Sequence, residues 1–322
     1  MKKNEASAEN VFLRTIFRAR TWENYLARET VLSSSDPEDW KSIEFPLEVA
    51  LELTNYCNLR CIMCPVPHLR RNRGFMGKDV FKKVVSDLSG ESGFLFLPQG
   101  FGESLLHPDW ARMIDFARAM KTHPIVVLTN GMLLDEEKIA GLLHSVDAVV
   151  VAMDGITPET YASIRVNGSL NTITKNIEHF LRMRKDSATP RLVVRIIRMR
   201  DTEEEIERFR LLWSRKIGQG DTVHVSDCID WAGHVPYRGI AENQLRERRC
   251  PCRMLWKNLT VYHDGKVSPC CYDAEGELIV GDVLTQSTRE LWHASPLNNL
   301  RALHLAGQYE KIPICSRCRN WH

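Results

Sequence analysis

The sequence predicts an α/β protein: a parallel sheet of six strands interleaved with helices, followed by a small cysteine-rich tail. Three observations predict it. Six short apolar runs, several rich in β-branched residues, recur between residues 46 and 230, as buried parallel strands do. The gaps between runs carry the 3.6-residue apolar period of amphipathic helices. Past about residue 230 this rhythm stops, and six of the ten cysteines fall in the last quarter of the chain.

Taken in order, residues 9–30 show helical periodicity through Val11, Phe12, Ile16, Phe17, Trp22, Tyr25 and Leu26, and Ser33 to Pro37 reads as a loop. Strands are expected at Leu47–Leu53, Phe94–Leu97, Ile125–Leu128, Ala148–Met153, Leu192–Ile197 and Thr222–Ser226. Helices are expected at 79–88, 109–120, 135–144, 170–184 and 203–214. Such an alternation closes into a full or partial barrel or opens into a doubly wound sheet. Both put their chemistry at the C-terminal ends of the strands. Asp230 to Arg249 is loop-like, and Leu259–His263 and Lys266–Ser268 flank an Asp264-Gly265 hairpin turn. Helices follow at Thr288–Ala294 and Leu297–Ala306. The tail looks too small for an apolar core of its own, so a metal staple is expected there. The organisation expected is a helical extension over 1–45, a barrel over 46–230 and a metal-binding module over 231–322.

Composition narrows the class. With 43% hydrophobic and 26% charged residues, the balance is that of a soluble globular protein. A net charge of +2 offers no basic field for nucleic acid. No apolar run is long enough to cross a bilayer, and the N-terminus lacks the apolar stretch of a signal peptide. A cytoplasmic location is expected, with neither membrane nor nucleic acid as partner. Without an export signal, ten cysteines point to metal ligation or redox chemistry rather than disulfides.

Cys57, Cys61 and Cys64 closely follow the first strand. Three thiolates in eight residues can converge on one metal centre. A four-iron cube takes four ligands, so three leave one iron open to a cofactor. The alternative is a zinc site completed by a residue such as His68, although zinc motifs more often use a Cys-x2-Cys pair. Gly100-Phe101-Gly102-Glu103 follows the second strand, Thr129-Asn130-Gly131 the third and Asp154-Gly155 the fourth. The Cys-x3-Cys-x2-Cys spacing with these elements in this order resembles the radical S-adenosylmethionine (SAM) superfamily, over roughly residues 46–228.

That resemblance implies a partial (β/α)6 TIM-like barrel whose three cysteines hold a SAM-binding 4Fe–4S cluster. It implies cofactor contacts from Tyr56, from Met63 beside the adenine, from Gly100, Gly102 and Glu103 at the SAM ammonium, and from Asn130, Asp154 and Arg165. Many relatives carry Ser two residues before the aspartate; here the position is Ala152, so the ribose contact falls to Asp154 or another polar group. Arg165 is either the partner of the SAM carboxylate or an exposed helix arginine. Cys252, Cys270, Cys315 and Cys318, with their flanking sequence, resemble the C-terminal SPASM or twitch extension of these enzymes and imply one auxiliary 4Fe–4S cluster. A four-cysteine zinc ribbon is the alternative. Cys250 and Cys271 are expected outside the ligand shell.

The resemblance further implies an enzyme that cleaves SAM to a 5′-deoxyadenosyl radical and takes a hydrogen atom from its substrate, leading to oxidation, epimerisation or dehydration. Electrons would come from a flavodoxin or ferredoxin. The segment after the sixth strand (Asp227, Asp230, Trp231, His234, Tyr237) suits a sugar-like or aminocyclitol-like small molecule, with a peptide as the alternative. Asp227, Cys228 and Asp230 are the candidate catalytic residues: the carboxylates as bases or hydroxyl grips, the thiol as hydrogen-atom donor or merely a small apolar side chain. A reading of another class is a non-catalytic iron–sulfur or zinc redox sensor.

Overall fold

The computed structural model describes residues 20–122, 124–185, 187–235 and 249–320. All six expected strands form: β1 Glu48–Leu51, β2 Leu95–Leu97, β3 Val126–Thr129, β4 Ala148–Ala152, β5 Arg191–Arg198 and β6 Thr222–Asp227. Pairing is parallel between β1 and β2 and from β3 through β6. A parallel Phe96–Ile125 bridge joins the two halves. The sheet therefore runs β1 to β6 in chain order, the arrangement of a half-open (β/α) barrel.

The helices are α1 Arg20–Leu32, α2 Lys78–Leu88, α3 Trp110–Ala119, α4 Glu136–Ser145, α5 Pro158–Ile164, α6 Leu170–Arg184 and α7 Ile206–Ser214. The part of the N-terminal helix expected before Arg20 lies outside the described residues. Side chains alternate across each strand. Val127, Val149, Val151, Leu192, Val194 and Ile196 pack outward into one core beneath the helices. Val126, Ala148, Val150 and Val193 form a separate inner cluster in the barrel lumen.

Two features depart from expectation. Helix α5 was absent from the sequence reading, though its start is written there: Thr157 caps the Thr160 N–H, and Pro158 and Glu159 fill the first turn. The tail, moreover, does not stand apart. After a single turn, α8 Met254–Lys257, strand β7 Asn258–Val261 lies parallel to β1 on the side away from β2. β8 Lys266–Ser268 and β9 Gly281–Asp282 extend that sheet antiparallel. Helices α9 Thr288–His293, α10 Ser295–Leu305 and α11 Pro313–Arg317 complete the chain. Leu255, Trp256, Leu259, Val261, Val267, Leu291, Trp292 and Leu297 all belong to the main core. The tail shares the barrel's core instead of relying on metal alone.

The junction is also bolted by charge. Glu52, fully buried just after β1, takes a bidentate contact from Arg71, and its Oε1 lies 3.0 Å from His263 Nδ1. Arg71 Nε donates to the Ala274 carbonyl at 2.6 Å, and its guanidinium lies 4.6 Å from the Tyr262 ring centroid. Among the described residues no helix is long and apolar enough to cross a membrane.

Candidate functional site

The loop after β1 carries the three cysteines. Their side chains meet Leu59, Met63, Ile164, Met199 and Cys228 in one apolar cluster. Side-chain donors face the sulfurs: Arg165 Nη1 is 3.3 Å from Cys61 Sγ, and Asn130 Nδ2 is 3.9 Å from Cys57 Sγ, which also receives the Leu59 N–H at 3.5 Å. Burial pushes the Cys57 thiol up to about 11 and the Cys64 thiol up to about 12.

The second loop is locked onto the first. Gly102 sits at φ +127°, and a Cβ there would lie 2.3 Å from the Thr54 carbonyl oxygen and 2.7 Å from that of Tyr56. A Cβ on Gly100 would meet Glu52 Cβ at 2.6 Å. What these glycines admit is the backbone and side chain of the β1 loop, the role glycine serves wherever chains approach closely. The Glu103 N–H donates to the Tyr56 carbonyl at 2.8 Å, which carries the glutamate into the site. Glu103 is buried: Oε1 accepts from Leu105 N and Thr129 Oγ1, Oε2 from Asn130 N. Burial raises its pKa against those hydrogen bonds. Oε2, with one donor, keeps capacity for another. The Asn130 amide continues to Asn58 Oδ1 at 2.9 Å. Tyr56 itself is exposed, its ring 5.2 Å from that of Phe75.

Asp154 adopts φ +48° at the end of β4 and is wholly buried. Its Oδ2 receives Arg165 Nε at 2.8 Å together with Nη2, and its Oδ1 receives the Ile197 N–H at 2.6 Å. Arg165, at the C-terminal end of α5, is 7% exposed, so it is not a surface arginine. Asp154 thus aims Arg165 at Cys61, and both its oxygens are occupied by protein.

After β6, Cys228 is 3% exposed and its thiol is pushed up to about 12, first by burial and then by Asp154, Asp230 and Asp227. The two carboxylates do not converge: Asp227 is exposed, whereas Asp230 is buried, its Oδ1 without a partner among the described residues. Trp231, Ala232 and Gly233 form a run of positive φ. This turn seats Trp231 over the cysteine loop, its Nε1 donating to the Met63 carbonyl at 2.8 Å. The indole also meets Phe101 and Tyr272, with centroids 5.7 and 5.9 Å away, and so spans from the barrel to the tail. Tyr237 lies outside the described residues.

Sequence reasoning missed Arg195. It shares the lumen face of Val193, beside Ala152 on β4 and His224 on β6. Its Nε is buried without an acceptor among the described residues, and burial together with nearby Arg165 lowers its pKa against Asp154. A charge in the middle of Leu192–Ile197, where every neighbour is apolar, was the available signal.

In the tail, Cys252, Cys270, Cys315 and Cys318 line one cavity, whereas Cys250 and Cys271 do not line it. Burial raises the Cys270, Cys315 and Cys318 thiols, the latter two to about 12 and about 11. A tetrahedral zinc with Zn–S near 2.3 Å would hold its sulfurs roughly 3.8 Å apart. Among the described residues the one group of three or more ligand atoms within 4.8 Å of one another is His234, Asp273 and Glu277. Neither cysteine set is that tight, and His68 is exposed. All-thiol donor sets of three and four are those a four-iron cube takes.

A half-open barrel with three thiols at the mouth of its first strand, backed by a four-thiol module, has the donor sets that iron–sulfur clusters take. The family model of the radical SAM superfamily matches residues 51–212, and that of the iron–sulfur cluster-binding SPASM domain matches residues 250–319. The chain belongs to the radical SAM superfamily and carries a C-terminal SPASM domain, so its cofactors are SAM and iron–sulfur clusters. It is similar to the antilisterial bacteriocin subtilosin biosynthesis protein AlbA of Bacillus subtilis, 25% identical over 304 residues, which cover 85% of this chain and 64% of AlbA. A probable GTP 3′,8-cyclase of Methanococcus maripaludis is 33% identical over 133 residues, 40% of this chain and 43% of that protein. The fold is like that of BtrN, crystallised with AdoMet and 2-DOIA: TM-score 0.61, 16% identity, 86% of this chain and 94% of that one. It is also like Streptococcus suis SuiB bound to the precursor peptide SuiA: TM-score 0.68, 14% identity, 82% and 69%.

Proposed function

We propose that this enzyme oxidises a polar, sugar-like or aminocyclitol-like small molecule, removing a hydrogen atom at the barrel mouth and passing a second electron to the four-cysteine site. The observation that carries this reading is the joining of the two thiol sites within one sheet by β1 and β7, bridged over the top by Trp231. When bound, SAM and its cluster supply the one-electron chemistry that takes the hydrogen atom, with a flavodoxin or ferredoxin as electron source.

The chain's own groups position the partners. Glu103 Oε2 receives the cofactor ammonium, and Arg165, held by Asp154, faces the cysteine loop. Arg195 offers an unused donor to a substrate oxygen, and Trp231 limits water at the roof. Cys228 is 3% exposed within an apolar cluster with Met63, Ile164 and Met199, which favours oxidation over hydrogen return. A peptide substrate is the second reading, supported by the likeness in fold to SuiB, solved with its precursor peptide.

The test incubates reduced enzyme and SAM in deuterated water with aminocyclitols or with short peptides, and weighs the products. Oxidation predicts loss of two hydrogens, no solvent deuterium in the product, and full turnover by Cys228→Ala. Deuterium gain that vanishes in Cys228→Ala would replace oxidation by epimerisation.

A further inference from the structure

His304 lies on α10 and is 2% exposed. Its Nδ1 accepts the backbone N–H of Cys252 at 3.1 Å. A ring nitrogen that accepts carries no proton, so the imidazole proton rests on Nε2. That nitrogen is buried and has no acceptor among the described residues. The same side chain lines the cavity of Cys252, Cys270, Cys315 and Cys318. Its orientation is not adjustable: the Tyr309 ring packs edge-on with centroids 5.1 Å apart, and the Arg249 guanidinium lies 4.7 Å from the Tyr309 centroid. A donor at the wall of a sulfur-lined cavity, without an acceptor among the described residues, is complementary to an anionic sulfur.

We propose that His304 Nε2–H donates a hydrogen bond to a sulfur of the auxiliary iron–sulfur cluster and thereby raises that cluster's reduction potential. The proposal rests on the reading that the four-cysteine cavity holds such a cluster. Adding an electron makes the sulfurs more basic, so a hydrogen bond to them stabilises the reduced state more than the oxidised state. His304 is here a positioning and tuning residue. One ring both anchors the amide of a ligand cysteine and makes the cluster a better electron acceptor, which is what oxidation of a substrate asks of it.

The experiment uses the full chain with Cys57, Cys61 and Cys64 changed to Ala, reconstituted anaerobically so that only the auxiliary site contributes signal. Iron content and the spectrum of the reduced cluster come first; absence of iron would overturn the cluster reading and this proposal with it. Potentiometric titration followed by electron paramagnetic resonance then compares His304 with His304→Phe, which keeps the ring and loses the donor, and with His304→Gln, which keeps an N–H. His304→Phe should lower the ratio of reduced to oxidised cluster about tenfold at a fixed potential, a 59 mV shift for one electron. His304→Gln should stay within about threefold. The parent should show an exchangeable proton coupled to the cluster, lost in His304→Phe. If His304→Phe fails to take up iron, the parent's proton coupling and the Gln variant decide. An unchanged potential in His304→Phe, or no coupled exchangeable proton in the parent, overturns the proposal.

Discussion

Gly102→Ala tests whether the second βα loop places Glu103, the glutamate proposed to receive the cofactor ammonium, through backbone contact. The added Cβ would begin 2.3 Å from the Thr54 carbonyl oxygen, 2.7 Å from that of Tyr56 and 2.9 Å from Asn55 Cα. Carbon–oxygen contacts settle near 3.3–3.6 Å, so the loops must part by about 1 Å. The φ of +127° adds strain of about 1–3 kcal/mol for a residue with a Cβ. Parting the loops breaks the Glu103 N–H to Tyr56 bond and shifts the carboxylate that follows it. A displacement of about 1 Å at a reacting centre costs on the order of 100-fold in rate. The assay is 5′-deoxyadenosine release under dithionite, with iron per chain measured in parallel. The expected outcome is a drop of about 100-fold with iron in the four-cysteine site retained. Gly90→Ala is the control, because a Cβ there meets nothing within 4 Å; it should match the parent. A Gly102→Ala rate within about threefold of the parent would refute the reasoning.

Two further predictions follow from the same geometry. Changing Cys57, Cys61 and Cys64 together to Ala should abolish SAM cleavage while leaving about half the iron, at the four-cysteine site; persistent 5′-deoxyadenosine would contradict the assignment. At the opposite end of the barrel, Arg184 pairs with Asp221 at 2.5 and 2.6 Å, both buried, and Asp221 also takes the Leu192 and Gly218 amides. Arg184→Met strands that carboxylate, which should cost about 3–5 kcal/mol and lower the melting temperature by roughly 6–20 °C, with SAM cleavage per folded molecule unchanged; a loss below about 1 kcal/mol in denaturant titration would contradict it.

The sequence carried what is local and periodic. Runs such as Ala148–Ala152 and Arg191–Arg198 are strands for reasons contained in a few residues: branched side chains and apolar continuity. The cysteine loop is likewise a spacing within eight residues. What stayed illegible is long-range. Nothing near Asn258 says that its strand inserts beside Glu48, because pairing choice depends on which edge the rest of the fold leaves open. Asp154 was read as a cofactor contact; that Arg165 and the Ile197 amide occupy its oxygens follows only from how α5 packs against β4 and β5. His304 reads in isolation as one more helix residue, and its meaning arises from Cys252, over fifty residues away in sequence but at hydrogen-bond distance in space.

The pairing of β7 with β1 also bears on how the chain is made. β1 ends at Leu51, and the strand that covers its outer edge begins at Asn258. At ribosomal rates of about 5–20 residues per second, the gap amounts to on the order of 10–40 s. Throughout that interval an apolar strand next to Cys57, Cys61 and Cys64 presents unpaired amides and carbonyls to other nascent chains. That edge is therefore covered only after β1 to β6 are all made, by a segment that also brings Cys252 and Cys270. A ribosome stalled before residue 258, or a transcript truncated there, would release an open-edged barrel suited to chaperone capture rather than to cluster loading.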